Sequence, residues 1–158
     1  ALAFAEAVKP RMAKGGAAVV IASNTSYFPV DEELKALFEA PIPAEGGVIY
    51  ADRVPDSFTA YLLAKRGVRA LARREGVAFG ERGARIVSVS PGLIDTVMTA
   101  DRSTDIIQKM INESALRRVG ETAELAAVVA FLVSPKASFM TGCDVLVDGG
   151  EAAGMGYI

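Results

Sequence analysis

Three short apolar runs constrain the fold of this chain more than any other feature. They are Ala17–Ala22 (AAVVIA), Arg85–Ser90 (RIVSVS) and Asp144–Val147 (DVLV). Each is halted by turn residues: Ser23-Asn24, Pro91-Gly92 and Asp148-Gly149-Gly150. Short apolar, β-branched runs bounded in this way mark strands buried on both faces. Helix-patterned segments lie between them. Strands alternating with helices imply parallel strands joined by right-handed crossovers. The expected fold class is therefore α/β, with one domain over residues 1–158 and a thin three-stranded core.

The helical segments are set by apolar spacing and by caps. Leu2, Ala5, Val8 and Met12 recur at helical spacing with no capping residue ahead of them, and Pro10 sits inside that pattern. Such a helix reads as one cut in the middle. Asp56 to Gly80 reads as a long helix capped by Asp56 or Ser57, with a buried stripe of Ala60, Leu63, Ala64, Val68 and Leu71. Asp101 to Leu116 is weakly helical. Thr122 to Val133 is a clear helix, with Thr122 expected as its cap and Glu124 in its first turn. Residues 24–55 form a long connection containing Pro29, Pro41, Pro43, Gly46 and Gly47 around one amphipathic helix, Asp31 to Glu39. Connections of that length are usually functional or mobile.

Composition excludes several chemistries. The chain has no histidine, which removes Ser-His-Asp and Cys-His catalysis and every His-ligated metal site. No metal site is expected. One cysteine, Cys143, permits no internal disulfide and is expected to pack as a small apolar side chain. A free thiol suits a reducing compartment, so a cytoplasmic location is expected. A net charge of −2 argues against a nucleic-acid surface, and no 18-residue apolar run suggests a membrane span. The cluster Arg66, Arg69, Arg73 and Arg74 is expected to be the solvated side of its helix.

The residues able to do chemistry lie at the carboxyl ends of the strands. Tyr61 and Lys65 are four apart on a helix and share one face. A nearby cation stabilises phenolate, and such a tyrosine can exchange a proton with a carbonyl or alcohol oxygen. Ser23 ends the first strand, where open parallel sheets form their clefts, and its hydroxyl can donate to a developing oxyanion. Pro91, Gly92, Ile94 and Thr96 occupy the same edge after the second strand. Gly92 permits close backbone approach to a ligand, and Thr96 offers a hydroxyl. Taken singly, each feature has an ordinary structural reading as a turn or helix residue.

Together they are far more specific. The chain resembles the carboxyl-terminal part of the short-chain dehydrogenase/reductase family over Gly15–Ser23, Tyr61–Lys65, Arg85–Thr96, Arg118–Gly120 and Phe131–Gly150. That resemblance implies the carboxyl-terminal half of a Rossmann-like doubly wound parallel sheet, with further strands upstream. It implies an NAD- or NADP-dependent oxidoreductase that interconverts a secondary alcohol and a ketone. Tyr61 would be the general acid/base. Lys65 would assist it and bind the nicotinamide ribose, and Ser23 would hold the substrate oxygen. Pro91, Gly92 and the backbone of Ile94 would line the nicotinamide, with Thr96 contacting the carboxamide or phosphates. Met98 and Met110 flank the segment that covers substrate in the family.

Two departures accompany the match. The family's glycine-rich dinucleotide fingerprint, which follows its first strand, is missing. So are the acid or base that selects NAD over NADP and the family's upstream asparagine. The chain therefore reads as the second half of a longer protein. The other departure is the 38-residue separation of Ser23 and Tyr61, which leaves 24–55 as an insertion. A subgroup resembling bacterial 3α-hydroxysteroid dehydrogenase/carbonyl reductase carries such an insertion. It implies an apolar alicyclic substrate, such as a steroid. It also implies a homodimer formed through about 122–133 and 144–147, with a tetramer as the alternative. Two rival readings remain: a 3-oxoacyl-carrier-protein reductase, and a non-catalytic fragment or subunit that docks on another α/β chain.

Overall fold

The computed structural model describes residues 1–40, 53–100 and 103–158. Pro41, Pro43, Gly46, Gly47 and Asp101 of the expectations above lie outside the described residues. All three apolar runs are strands: β1 (Ala17–Ile21), β2 (Arg85–Pro91) and β3 (Asp144–Val147). They form one parallel sheet in the order β1-β2-β3.

Helices cover both faces. Helix α1 (Leu2–Val8) opens without a side-chain cap and tightens into a 3-10 turn at Lys9–Arg11, where Pro10 sits. Helix α2 (Glu32–Glu39) is capped by Asp31, whose side chain accepts from the amides of Glu33 and Leu34. Helix α3 (Ser57–Gly80) is capped by Asp56, which accepts from Thr59 N at 2.9 Å. Helix α5 (Thr104–Glu113), capped by Ser103, falls in the weakly patterned region, and a short helix that the pattern did not indicate, α4 (Val97–Ala100), precedes it. Helix α6 (Thr122–Val133) follows, and α7 (Glu151–Gly154) ends the fold.

Strand alternation divides the core into two layers. Val20, Ala84 and Ile86 pack with Ala72 and Phe79 of α3. On the other face Val87 and Val89 meet Leu132 of α6 and Ala137. Successive side chains of a strand point to opposite faces, so each short strand feeds both layers. Helix α3 closes on the loop before β3 through glycine: a Cβ on Gly76 would stand 2.8 Å from Gly142 Cα.

Four local expectations are corrected. In α3 the buried side is Leu62, Leu63, Arg66, Ala70 and Leu71, whereas Ala60 and Ala64 are exposed. Thr122 is the first residue of α6 and not its cap. Glu121 holds that position, and its amide donates to Glu124 Oε2 at 2.8 Å. Cys143 is exposed. Three of the four α3 arginines, Arg66, Arg69 and Arg74, are ties and not a solvated face, whereas Arg73 is exposed as expected. Arg66 is 9% exposed and donates to Phe28 O at 2.8 Å. Arg69 donates to Ser26 O at 3.0 Å, and Arg74 donates to Glu39 O and Ala40 O. These bonds fasten α2, and the turn before it, onto α3.

Candidate active site

The parallel register builds the site. Ile21 pairs with Val89, so Ser23, two residues on, falls beside Pro91 at the carboxyl edge of the sheet. Ala22 N extends the ladder by donating to Val89 O at 2.7 Å. Pro91 pairs with Val147, which brings Asp148 to the same edge. Helix α3 starts near that edge, so Tyr61 and Lys65, in its second and third turns, face the strand ends. Ser23, Tyr61, Lys65, Pro91, Gly92, Ile94 and Thr96 all line one cleft of about 880 Å³. Met98, Met110 and the apolar side chains of α6 close its far wall.

Lys65 Nζ donates to Ile21 O at 3.1 Å and lies 5.6 Å from the centroid of the Tyr61 ring. The β1 carbonyl thus fixes the ammonium beside the phenol. Tyr61 is 38% exposed and lines the cleft.

Ser23 is set by its own turn. It is the N-cap of a 3-10 turn, Asn24–Tyr27, in extended conformation. Its Oγ accepts from Thr25 N at 3.3 Å and from Thr25 Oγ1 at 3.1 Å. Two donors directed at one hydroxyl oxygen occupy its lone pairs. The capability left to Ser23 is its own O–H, which suits it to donate to a substrate oxygen.

Gly92 owes its identity to packing as much as to the cleft. A Cβ there would stand 2.6 Å from the Asp148 Cβ, so the close approach it permits is to the turn after β3. Thr96 is held by Thr99, whose hydroxyl bonds Thr96 N and Thr96 Oγ1, each at 2.9 Å. Sequence reasoning missed Thr25 and Thr99 as supports. A hydroxyl two or three residues from the functional one is the local signal that could have found them.

One stretch does have the G-x-x-x-G-x-G spacing of a nucleotide fingerprint: Gly150, Gly154 and Gly156. It follows the last strand, and α7 runs through its middle. A Cβ on Gly154 would meet Glu113 O of α5. Its second glycine therefore serves packing, and the stretch forms no open phosphate cradle.

A polar cluster behind the cleft anchors the Asn24–Tyr27 turn. Tyr27 Oη donates to Asp144 Oδ2 at 2.8 Å, and the Arg69 guanidinium sits 3.5 Å over the Tyr27 ring. Burial first, then the hydrogen bond to the Asp144 carboxylate, push the Tyr27 phenol up to about 12. The folded protein therefore holds this proton more tightly than the unfolded chain, whose tyrosine titrates near about 10. The resulting stability is complete below about pH 10 and is lost as pH rises from there through about 12. Tyr27→Phe is expected to cost about 1 kcal/mol at neutral pH. It should also flatten the alkaline part of the stability curve, as read by urea unfolding across that window.

Comparison with known proteins agrees with this geometry. A family model described as enoyl-(acyl carrier protein) reductase matches residues 47–151. The chain belongs to the short-chain dehydrogenase/reductase family. A short-chain dehydrogenase/reductase of Alternaria brassicicola is 33% identical over 148 residues, covering 88% of this chain and 54% of that protein. A 3-alpha-(or 20-beta)-hydroxysteroid dehydrogenase of Mycobacterium bovis is 35% identical over 97 residues, 61% of this chain and 35% of the relative. The crystal structure of the 3-alpha-hydroxysteroid dehydrogenase from Pseudomonas sp. B-0831, complexed with NADH, superposes with a TM-score of 0.80. It is 28% identical and covers 97% of this chain and 63% of that one. The chain thus spans about half or less of the length of these two curated relatives. Among the described residues the parallel sheet has three strands, and all the site residues expected from the resemblance meet at its carboxyl edge.

Proposed function

We propose that this chain carries the catalytic residues of an NAD- or NADP-dependent oxidoreductase acting on a secondary alcohol or its ketone. The observation that carries the reading is the convergence in one cleft of Ser23, from the end of β1, with Tyr61 and Lys65, from α3. Tyr61 exchanges a proton with the substrate oxygen. Ser23 donates a hydrogen bond to that oxygen while charge develops on it. Lys65 keeps positive charge beside the phenol as the proton moves.

The residues present fit the nicotinamide end of the cofactor. The cleft offers an ammonium, a phenol, the hydroxyls of Ser23 and Thr96, and a backbone wall at Pro91, Gly92 and Ile94. Lys65 would hold the ribose, and Thr96 the carboxamide or phosphates. Bound there, the nicotinamide supplies or accepts the hydride.

An apolar alicyclic substrate, of the size of a steroid, fits best. Met98, Met110, Leu125 and Val129 furnish the cleft with apolar surface, and the volume suits a bulky ligand. The carrier-protein reading asks for a free basic patch. Arg66, Arg69 and Arg74 are instead spent on carbonyls and Glu39. The expected homodimer fits the apolar surface around the end of α6, where Phe131, Val133 and Phe139 are exposed. Sedimentation of the full-length protein distinguishes dimer from tetramer.

The deciding experiment assays the full-length protein with NAD and NADP against a hydroxysteroid, a simple alicyclic alcohol and a 3-oxoacyl thioester. Turnover of the alicyclic alcohols is the expected result. Preference for the thioester would overturn the substrate class. Failure to bind either cofactor would favour a non-catalytic subunit.

A further inference from the structure

The turn that presents Ser23 is held from the far end of the chain. Glu151 Oε2 accepts a hydrogen bond from Asn24 Nδ2 at 2.8 Å, across 127 positions of sequence. Both residues are buried, at 1% and 2% exposure. A carboxylate is costly to bury unless polar partners meet it, so a glutamate at this depth calls for a reason.

The path of the chain supplies the geometry. Gly149 and Gly150 adopt φ of +64° and +81°, the left-handed region that favours glycine. The Asp148 side chain accepts from Gly150 N at 2.9 Å and from Ala152 N at 2.8 Å. Together they reverse the chain after β3 and send Glu151 inward. The same two segments meet again where the Phe28 and Tyr157 rings approach to 5.0 Å. The end of the chain is thus docked on the serine turn at two points.

An amide has one donating and one accepting side, and a carboxylate only accepts. Glu151 Oε2 takes the NH₂ of Asn24, which leaves Asn24 Oδ1 on the side of Ser23. The Ser23 Oγ lies 3.5 Å from that oxygen. A contact so long is weak and readily exchanged for a substrate oxygen. Thr25 approaches the same hydroxyl with two donors. The Ser23 proton is thereby left pointing away from Thr25, between Asn24 and the cleft.

We propose that Glu151 is a positioning residue for Ser23, acting through Asn24. It fixes the amide orientation and the turn that aim the serine hydroxyl. This inference rests on the dehydrogenase reading above and adds a residue to that site.

The test is an exchange of partners in the full-length enzyme, with kcat and both KM values read per folded active site. Asn24→Asp sets two carboxylates against each other and is expected to lower kcat by about 10²-fold, the scale of a small misplacement of a catalytic group. Adding Glu151→Gln restores a donor–acceptor pair with its polarity reversed and should recover about tenfold or more of that loss. Glu151→Gln alone keeps an acceptor for Asn24 but loses the carboxylate, and its kcat is expected to fall between those of the parent and Asn24→Asp. The cofactor KM should not change in any of them, because Lys65, Pro91 and Thr96 are untouched. An Asn24→Asp enzyme as fast as the parent would overturn the proposal. So would a double variant that regains its melting temperature but not its kcat, since that marks a purely structural contact. If Asn24→Asp does not fold, Glu151→Ala against Glu151→Gln decides, and equal kcat in the two counts against positioning. A parent that turns over no alcohol sinks the dehydrogenase reading along with this one. An active parent with indifferent variants sinks this one alone.

Discussion

Tyr61→Phe is expected to lower kcat by about 10³-fold, within the range of general acid–base catalysis, while the cofactor KM stays near that of the parent. The substitution removes one oxygen and keeps the ring. The ring's packing at the mouth of α3 and its contact with Lys65 at 5.6 Å should therefore survive. What is lost is the group that exchanges a proton with the substrate oxygen. Among the described residues, the titratable side chains lining the cleft are Tyr61 and Lys65. The Lys65 ammonium is already directed at the Ile21 carbonyl. No histidine exists anywhere in the chain to take over the task. Steady-state kinetics with a secondary alcohol measures the effect, and full turnover by the phenylalanine variant would sink the assignment.

Lys65→Met is expected to reduce kcat by about 10²-fold and, unlike Tyr61→Phe, to raise the cofactor KM as well. Methionine approximates the length and apolar stem of lysine, so α3 should be little disturbed. The ammonium disappears, and with it the bond to Ile21 O at 3.1 Å. Charge that forms on the phenol during proton transfer then has no cation beside it in a partly desolvated cleft. The ribose contact assigned to Lys65 is lost at the same time. A rise in KM without a fall in kcat would assign the lysine to binding alone. Unchanged kinetics would remove it from the site.

The strands and principal helices were legible because each depends on local pattern. Three apolar runs bounded by turn residues gave the sheet, and Asp31 and Asp56 cap their helices as their positions suggest. Errors arose where one segment folds over another. Arg66, Arg69 and Arg74 read as a charged helix face, since nothing local shows that α2 and the Asn24–Tyr27 turn lie against them. Ala60 and Ala64 fit a helical stripe, yet the sheet meets the neighbouring face through Leu63, Ala70 and Leu71. Cys143 looked like a core residue by type, but it falls in the loop before β3 and is exposed.

Sequence alone determined the α/β class and the carboxyl-edge position of Ser23, Tyr61 and Lys65, while the catalytic roles proposed for them came from the family resemblance. Strand ends and an i,i+4 pair are short-range properties that a linear reading can carry. Tertiary structure alone decided what supports them. The Glu151–Asn24 bond spans 127 positions and the Tyr27–Asp144 bond spans 117. No periodicity links residues so far apart. They meet because parallel pairing stacks the carboxyl ends of β1, β2 and β3 at one edge, and two left-handed glycines then turn the chain back onto the serine.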